Sequence, residues 1–451
     1  MGGSRNSRCV DCADAAAAVL ARHLSPGQDL TVALSGGIDS VVLLDVLCRL
    51  QGRLDFTLRA VHVDHGISPL SQQWAAFCGA LCARRDIPLL VTAVTVARDS
   101  GRGLEAAARD ARYRMFSALD TDWIVLAHQQ DDQVETLLAN LLRGAGPHGA
   151  AGMPEVRSFE MYGGAHRPRL LRPLLGVMRG EIEAYARDRA LSWVQDASNA
   201  DTGFARNFLR HEVVPLLARR FPGCRRTLAR SAEWSAEAAQ LLDVLAQIDA
   251  GGAIDTTGRL SIESMTLLDE ARARNLLRHW LRRQGVTMPD AAMLYELRRQ
   301  LATAKRDNRL RVVVGERAIR CYRGWACVEP AQSPAVPECA KWNGQASMPW
   351  GDGKVVFRQT TGEGIAEPLL RRGTATLRAR SGGERMRLHA TGPHRSLKNL
   401  LQEADIPPWQ RVSMPLLWCG ADLAWVPGIG VAAEFRCAPG EAGLLPDWEP
   451  G

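Results

Sequence analysis

Leu34-Ser35-Gly36-Gly37-Ile38-Asp39-Ser40 is a turn of small residues between the apolar run 30–34 and the helical pattern 41–50. The order is strand, phosphate-sized loop, helix. Such a turn aims several backbone N–H groups and the positive end of a helix at one point, where an anion replaces their missing hydrogen-bond partners. Gly36 and Gly37 can adopt positive φ and let a ligand approach the backbone. A Walker A loop is excluded, because it needs a lysine after its last glycine and the first of the four lysines in this chain is Lys305. Arginines would have to neutralise the phosphates instead. The competing description is an ordinary Gly-Gly turn with Asp39 and Ser40 capping the helix.

Outward from that turn, β-like runs at 30–34, 58–63, 89–96 and 123–127 alternate with helical patterns at 41–50, 71–85, 104–119 and 132–143. Short apolar strands separated by helices predict an α/β fold with a parallel sheet covered on both faces, and ligands in that architecture sit beyond the C-terminal ends of the strands. Ser35, Asp64, His65 and His128 all fall on that rim. In the third helix Glu105, Arg109 and Arg112 share one face opposite Leu104, Ala108, Ala111 and Met115, so this face either carries surface salt bridges or offers two guanidinium groups to phosphates. In the fourth, Asp132 and Glu135 share a face while Val134, Leu137, Leu138 and Leu141 turn to the core. Two carboxylates at the rim suit Mg²⁺ or a substrate ammonium, and Asp131 suits the helix dipole. The glycine-rich stretch 143–152 reads as a mobile loop able to cover the site. Further on, Arg206 and Arg210 share one helix face.

At ~150 residues per domain, 451 residues predict about three units. Pro222-Gly223 marks a first boundary. Helical patterns follow at 227–250, 270–284 and 290–302, then strands at 309–314 and 318–328, and the Pro-rich 329–349 reads as a linker. The expected organisation is a catalytic domain 1–222, a mainly helical domain 223–330, a linker 331–349 and a small α+β domain 350–440. No apolar run approaches the ~18 residues of a spanning helix and the first ten residues lack a signal-peptide core, so a soluble cytoplasmic protein is expected. The 11 cysteines, an odd number scattered through the chain, point to reduced thiols, and Cys9-Val10-Asp11-Cys12 has no second pair at metal-ligand spacing. The net charge of +7 is unevenly spread. Seven arginines between 206 and 230 face one acid, Glu212, and eight Arg and Lys between 371 and 398 face one acid, Glu384. Each cluster alone fits a solvated face; two fit a polyanion of tRNA size.

Taken together, the motif 35–40, His62-Val63-Asp64-His65-Gly66, His128 with Asp131-Asp132-Gln133-Val134-Glu135-Thr136, and Arg206-Asn207 resemble the tRNA(Ile)-lysidine synthases, members of the N-type ATP-pyrophosphatase (PP-loop) superfamily. The first motif carries only the superfamily. The Asp-Asp-Gln-x-Glu-Thr block and Asp196-x-Ser198-Asn199 with Arg206-Asn207 carry the narrower likeness, and Gly382-Gly383-Glu384-Arg385, Leu397-Lys398 and Ile406-Pro407-x-Trp409-x-Arg411 look like that family's C-terminal domain. The likeness runs from about residue 30 to 430 and is weakest in the helical middle. Cys9-x-x-Cys12 has no counterpart in it.

The resemblance implies a Rossmann-like fold of the PP-loop ATPase type and a two-step reaction on a CAU-anticodon isoleucine tRNA. ATP activates the wobble cytidine at its C2 oxygen with loss of pyrophosphate, and the ε-amine of L-lysine then attacks C2 and expels AMP. By the same resemblance Ser35, Gly36, Gly37, Ile38, Asp39 and Ser40 hold the phosphates, Arg109 and Arg112 supply positive charge, and Asp39 organises Mg²⁺. Main chain at Val63, Asp64 and His65 holds the adenine. Asp132 and Glu135 bind lysine and assist its deprotonation, with His128 close by and Arg206 on the lysine carboxylate or the target nucleotide. A PP-loop tRNA thiolase, an amidotransferase-type synthetase and an inactive tRNA-binding protein are the alternatives. A homodimer is compatible with the sequence, which leaves the oligomeric state open.

Overall fold

The β-branched and leucine-rich run beginning at Gln28 and the three that follow it build one sheet, as their alternation with helices predicts. In this computed structural model, residues 12–66, 68–96, 104–159, 168–196, 200–304, 310–332 and 335–450 are described. Cys9, Ser198 and Asn199 lie outside them, as does the side chain of Glu105. The order is α1 (Cys12–His23), β1 (Gln28–Ala33), α2 (Ile38–Leu54), β2 (Phe56–Asp64), α3 (Ser71–Ala83), β3 (Leu89–Ala93), α4 (Leu104–Ser117), β4 (Trp123–Val125), α5 (Gln130–Leu142), α6 (Pro147–Ala150), β5 (Val156–Ser158), β6 (Arg169–Leu171), α7 (Arg179–Asp188), α8 (Ala205–Phe208), a π-helical turn Leu209–Val213, α9 (Val214–Arg220) and α10 (Cys224–Ala250).

The sheet order is β3-β2-β1-β4-β6-β5. The first five strands are parallel, and β5 closes one edge antiparallel to β6. Neither β5 nor β6 is signalled in the sequence, since three residues are too few to show a period of two. The order reverses between β1 and β4, so the crevice for a ligand opens where the loop after β1 meets the segment after β4. Leu30, Val32, Leu43, Leu44 and Leu47 are fully buried between sheet and helices. On α4 the buried positions are Ala107, Ala111, Tyr113 and Phe116, so the core face is turned from the expected one.

A buried polar node ties three helices on one side of the sheet. Asp45 on α2 accepts from Arg85 (3.1 Å), the Tyr185 hydroxyl (3.0 Å) and Arg189 (3.4 Å). The stretch 143–152, expected to be a mobile loop, is anchored from α5 and α10. Gln133 bonds both the N–H and the C=O of Met153 (2.6 and 2.8 Å), Asn140 bonds the Gly149 carbonyl (2.8 Å), and His148 meets Asp243 (3.0 Å).

The chain divides into two compact units, Met1–Leu245 and Ala246–Gly451. In the second, helices Glu270–Arg283 and Ala291–Thr303 are capped by Asp269 and Asp290. They accompany a four-stranded sheet made of Leu260–Ser261, Arg311–Val314, Arg317–Tyr322 and Trp325–Pro330. The expected linker is partly structured: Cys339–Lys341 and Ser347–Trp350 are strands, and Trp342, Met348 and Trp350 are buried in the C-terminal core. No helix among the described residues is long and apolar enough to cross a membrane.

Removing a buried carboxylate strands the donors around it. Asp45→Ala is expected to cost about 2 kcal/mol of stability, read as a lower thermal unfolding midpoint of the full chain, with Asp29→Ala, a half-exposed control, changing it far less.

Candidate active site

Gly37 is the N-cap of α2 and makes no side-chain capping bond. Asp39 and Ser40 therefore do not cap the helix, which corrects the plain-turn description. Ser40 Oγ instead donates back to the Gly37 carbonyl (2.9 Å) and lies 3.1 Å from Ser35 Oγ. The first-turn N–H groups of a 17-residue helix are left to the crevice. Gly36 has φ +86, and a Cβ there would lie 2.9 Å from Val194 Cγ2 and 3.3 Å from Cys78 Sγ. Only glycine suits this position, because the segment carrying Val194 crosses the loop and its N–H bonds the Gly36 carbonyl (3.0 Å).

Asp39 is half-buried, and one nitrogen of Arg179, at the start of α7, bonds both of its oxygens at 2.9 Å. Burial raises its pKa to about 6; Arg179 opposes this, Asp132 reinforces it and Arg210 opposes it. The glycine loop and the carboxylates of α5 therefore share one electrostatic site.

Those carboxylates are paired. Glu135 is 2 % exposed and Asp132 8 %. Arg206 bonds Asp132 (2.6 Å) and Glu135 (2.8 Å), while Arg210 bonds Glu135 Oε1 and Oε2 (2.6 and 2.9 Å) and Asp132 Oδ1 (3.1 Å). The π-helical turn Leu209–Val213 carries Arg210 and follows directly on α8, which carries Arg206; such a local irregularity is often found at functional sites. Asp132 Oδ2 also accepts the Gln129 N–H (3.0 Å), closing a capping box. Asp131 lies in the first turn, where the helix dipole favours a carboxylate as expected, and pairs with Arg225 (3.1 Å), while Asp132 adds the capping contact.

Beside this cluster the rim turns strongly basic. Arg172, 1 % exposed, donates from Nε to His128 Nδ1 (3.2 Å) and from Nη1 to the Pro154 carbonyl. Burial first, then Arg172, Arg206, Arg112 and Arg109, hold the His128 pKa well below its usual value. His128 is therefore neutral, and with Nδ1 accepting, its proton sits on Nε2. Arg109 reaches the Tyr113 hydroxyl (3.3 Å) and stacks on its ring. Burial raises the Tyr113 pKa, but Arg109, Arg172 and Arg112 together bring it below its ordinary value. His65, after β2, has a buried Nδ1 with no hydrogen-bond partner, and burial followed by Arg112 lowers its pKa. Asp64 is engaged in its own turn, accepting the Gly66 N–H (2.8 Å).

Arg179 and Arg172 were not assigned a role from the sequence, and Arg210 only a shared face with Arg206 and a place in the basic cluster 206–230. The two basic clusters prove less free than their local counts imply. Arg206, Arg210 and Arg225 are bound to α5, and Arg371, Arg387 and Arg395 pair with Glu367, Glu434 and Glu403, outside the counted stretch. Among the described residues no group of His, Cys, Asp and Glu is arranged to hold a metal by itself. Asp39 alone fits the common Mg²⁺ arrangement of one or two carboxylates completed by substrate phosphates. Cys78, the thiol beside the glycine loop, is fully buried and its pKa is pushed up to about 12, so it supplies no thiolate of the kind sulfur transfer needs.

Comparison with known proteins places the same segments in the same order. Residues 12–217 match the PP-loop domain family, 260–327 the TilS substrate binding domain family and 375–448 the TilS substrate C-terminal domain family. The tRNA(Ile)-lysidine synthase of Nitrosomonas europaea is 44% identical over 455 residues, covering 100% of this chain and 98% of that protein. Those of Azoarcus sp. and Aromatoleum aromaticum are 45% and 43% identical, covering 95% and 96% of this chain and 94% and 100% of theirs.

The Asp39 carboxyl is neutral below about pH 6 and charged above it. Mg²⁺-dependent ATP binding is expected to fall as pH drops through about 6. Arg179→Ala removes the largest opposing charge and moves that acid limb upward by about one pH unit; calorimetric titration of ATP from pH 5 to 8 measures both.

Proposed function

The chain belongs to the tRNA(Ile)-lysidine synthase family, an ATP-dependent ligase family, and from that premise we propose that it joins L-lysine to C2 of the wobble cytidine, position 34, of CAU-anticodon isoleucine tRNA. The observation that carries the assignment of the lysine site is the buried set of two carboxylates and two guanidinium groups on α5 and the 205–213 segment. An amino-acid zwitterion offers the complement of both: its carboxylate to Arg206 and Arg210, its ammonium groups to Asp132 and Glu135.

In the first step the C2 oxygen of cytidine attacks the α-phosphorus of ATP and pyrophosphate leaves. The N–H groups of the Ser35–Ser40 turn face the phosphates, and Arg109 and Arg112 meet charge that a P-loop lysine would otherwise meet. Main chain at Val63, Asp64 and His65 holds the adenine. Bound at Asp39, Mg²⁺ would neutralise charge on the departing pyrophosphate. His128, neutral with a proton on Nε2, is a hydrogen-bond donor toward the activated base rather than a proton acceptor through Nδ1.

In the second step the lysine ε-ammonium, with a free pKa of ~10.4, must shed a proton before its nitrogen bonds C2. Glu135, or Asp132 beside it, takes that proton. The C2–O bond then breaks with AMP as the leaving group, and the resulting lysidine pairs with adenine and changes the tRNA's identity from methionine to isoleucine. The target base has to leave its loop to reach ATP, which an unpaired wobble position permits at little cost.

Nucleoside mass spectrometry on CAU-anticodon isoleucine tRNA, incubated with protein, Mg²⁺-ATP and isotopically labelled lysine, tests this reading. Labelled lysidine is expected in that tRNA and absent from methionine tRNA. Gain of sulfur would instead identify a thiolase, and bound but unmodified tRNA with ATP untouched an inactive binding protein.

A further inference from the structure

A hollow of about 460 Å³ lies between the 145–150 segment and α10, outside the cluster of α5 carboxylates. Its floor is made of small residues, Ala145, Gly146 and Ala150 on one side and Ser231 and Ser235 on the other, and one wall is Trp234. Trp234 is 60 % exposed, and the Arg230 guanidinium stacks 5.1 Å from its ring centroid. Ser231 and Ser235 donate their hydroxyl protons to α10 carbonyls at 3.0 and 2.8 Å, leaving their oxygens as acceptors toward the hollow. The wall opposite α10 is fixed, because His148 is tied to Asp243 and Ala150 packs on Leu137 of α5.

Charge runs toward this hollow along one helix face. Arg226, Arg230 and Trp234 recur at every fourth residue of α10, so they stand in a row. No carboxylate lines the hollow. The row starts near α5: Arg225, the residue before Arg226, bonds Asp131, and Trp234 lies nine residues beyond Arg225, about 13 Å along the helix. Stacked nucleotides advance about 3.4 Å each, so a strand whose target base is at α5 brings one of its near neighbours to Trp234.

We propose that this hollow is a nucleobase subsite in which Trp234 stacks an unpaired base of the anticodon loop, a few nucleotides from the base being modified, while Arg226 and Arg230 hold the intervening phosphates. A flat ring fits over the small-residue floor, the serine oxygens accept from its edge, and the Arg230 guanidinium held against Trp234 strengthens the stack. The proposal rests on the tRNA reading above. It adds that the loop is gripped beside the target, so that the target base is extruded from a strand anchored at its neighbour.

The test uses the full chain and full-length isoleucine tRNA carrying 2-aminopurine at single anticodon-loop positions. At one position the wild-type protein quenches the probe; Trp234→Ala abolishes that quenching and Trp234→Phe keeps most of it. With unlabelled tRNA, Trp234→Ala raises KM for tRNA about tenfold, the loss of one stacked base, and leaves KM for lysine unchanged. Identical fluorescence for wild type and Trp234→Ala at every position overturns the subsite. So does a Trp234→Ala variant that turns a dimer into a monomer by light scattering while KM for tRNA stays fixed, which would give this face, with exposed Leu241 and Val244 beyond it, to a second copy of the chain. Lysidine formation by the wild type is read in the same samples. If it is absent, the ligase reading fails while the quenching difference still decides the subsite.

Discussion

Two carboxylates cannot remain charged inside a protein unless opposite charge comes to them, and the first compact unit is organised around that constraint at Asp132 and Glu135. Lone buried ions cost several kcal/mol each. The compensation comes from Arg206 and Arg210, more than seventy residues downstream, and the chain between them has to return to α5 to deliver it. On that return it crosses the glycine loop at Val194 and contributes Arg179 to Asp39. The four-charge cluster is at once a packing requirement and the feature that fits a zwitterion.

The crevice is electrostatically divided. On the side of α4 and β6, Arg109, Arg112 and Arg172 act on Tyr113, and burial together with these arginines keeps His128 neutral; toward α5 the charges are balanced. Phosphate chemistry suits the first side and amino-acid chemistry the second, and the topological switch point between β1 and β4 sets the two next to each other. Asp39 lies between them, sensing Arg179 and Asp132 together.

How much of this was readable in the chain depended on whether the signal was local. The strand–loop–helix at 34–40, the first four strands and the shared face of Asp132 and Glu135 are local patterns, and each was legible. Long-range pairing was not: nothing near Arg179 announces Asp39 across 140 residues, and nothing in 371–398 announces Glu403 or Glu434, so net local charge overstated the free basic surface. Asp131 keeps the first-turn position expected of it, while the capping contact of Asp132 was not legible, because it depends on the side chain three residues after the N-cap reaching back to it. The 329–349 stretch shows the opposite failure, since its prolines suggested a linker while Trp342, in the same stretch, is too large an apolar group to leave in solvent and is buried.

The central claim is that the α5 carboxylates serve the lysine step and the glycine loop serves the ATP step. Separate measurement of pyrophosphate release and lysidine formation in single turnover, for Glu135→Gln with CAU-anticodon isoleucine tRNA and saturating ATP, tests it directly. The account predicts a burst of pyrophosphate near the wild-type rate together with lysidine formation slowed at least a hundredfold, the scale of a lost general base. Equal loss of both steps, or lysidine formed at the wild-type rate, would contradict it.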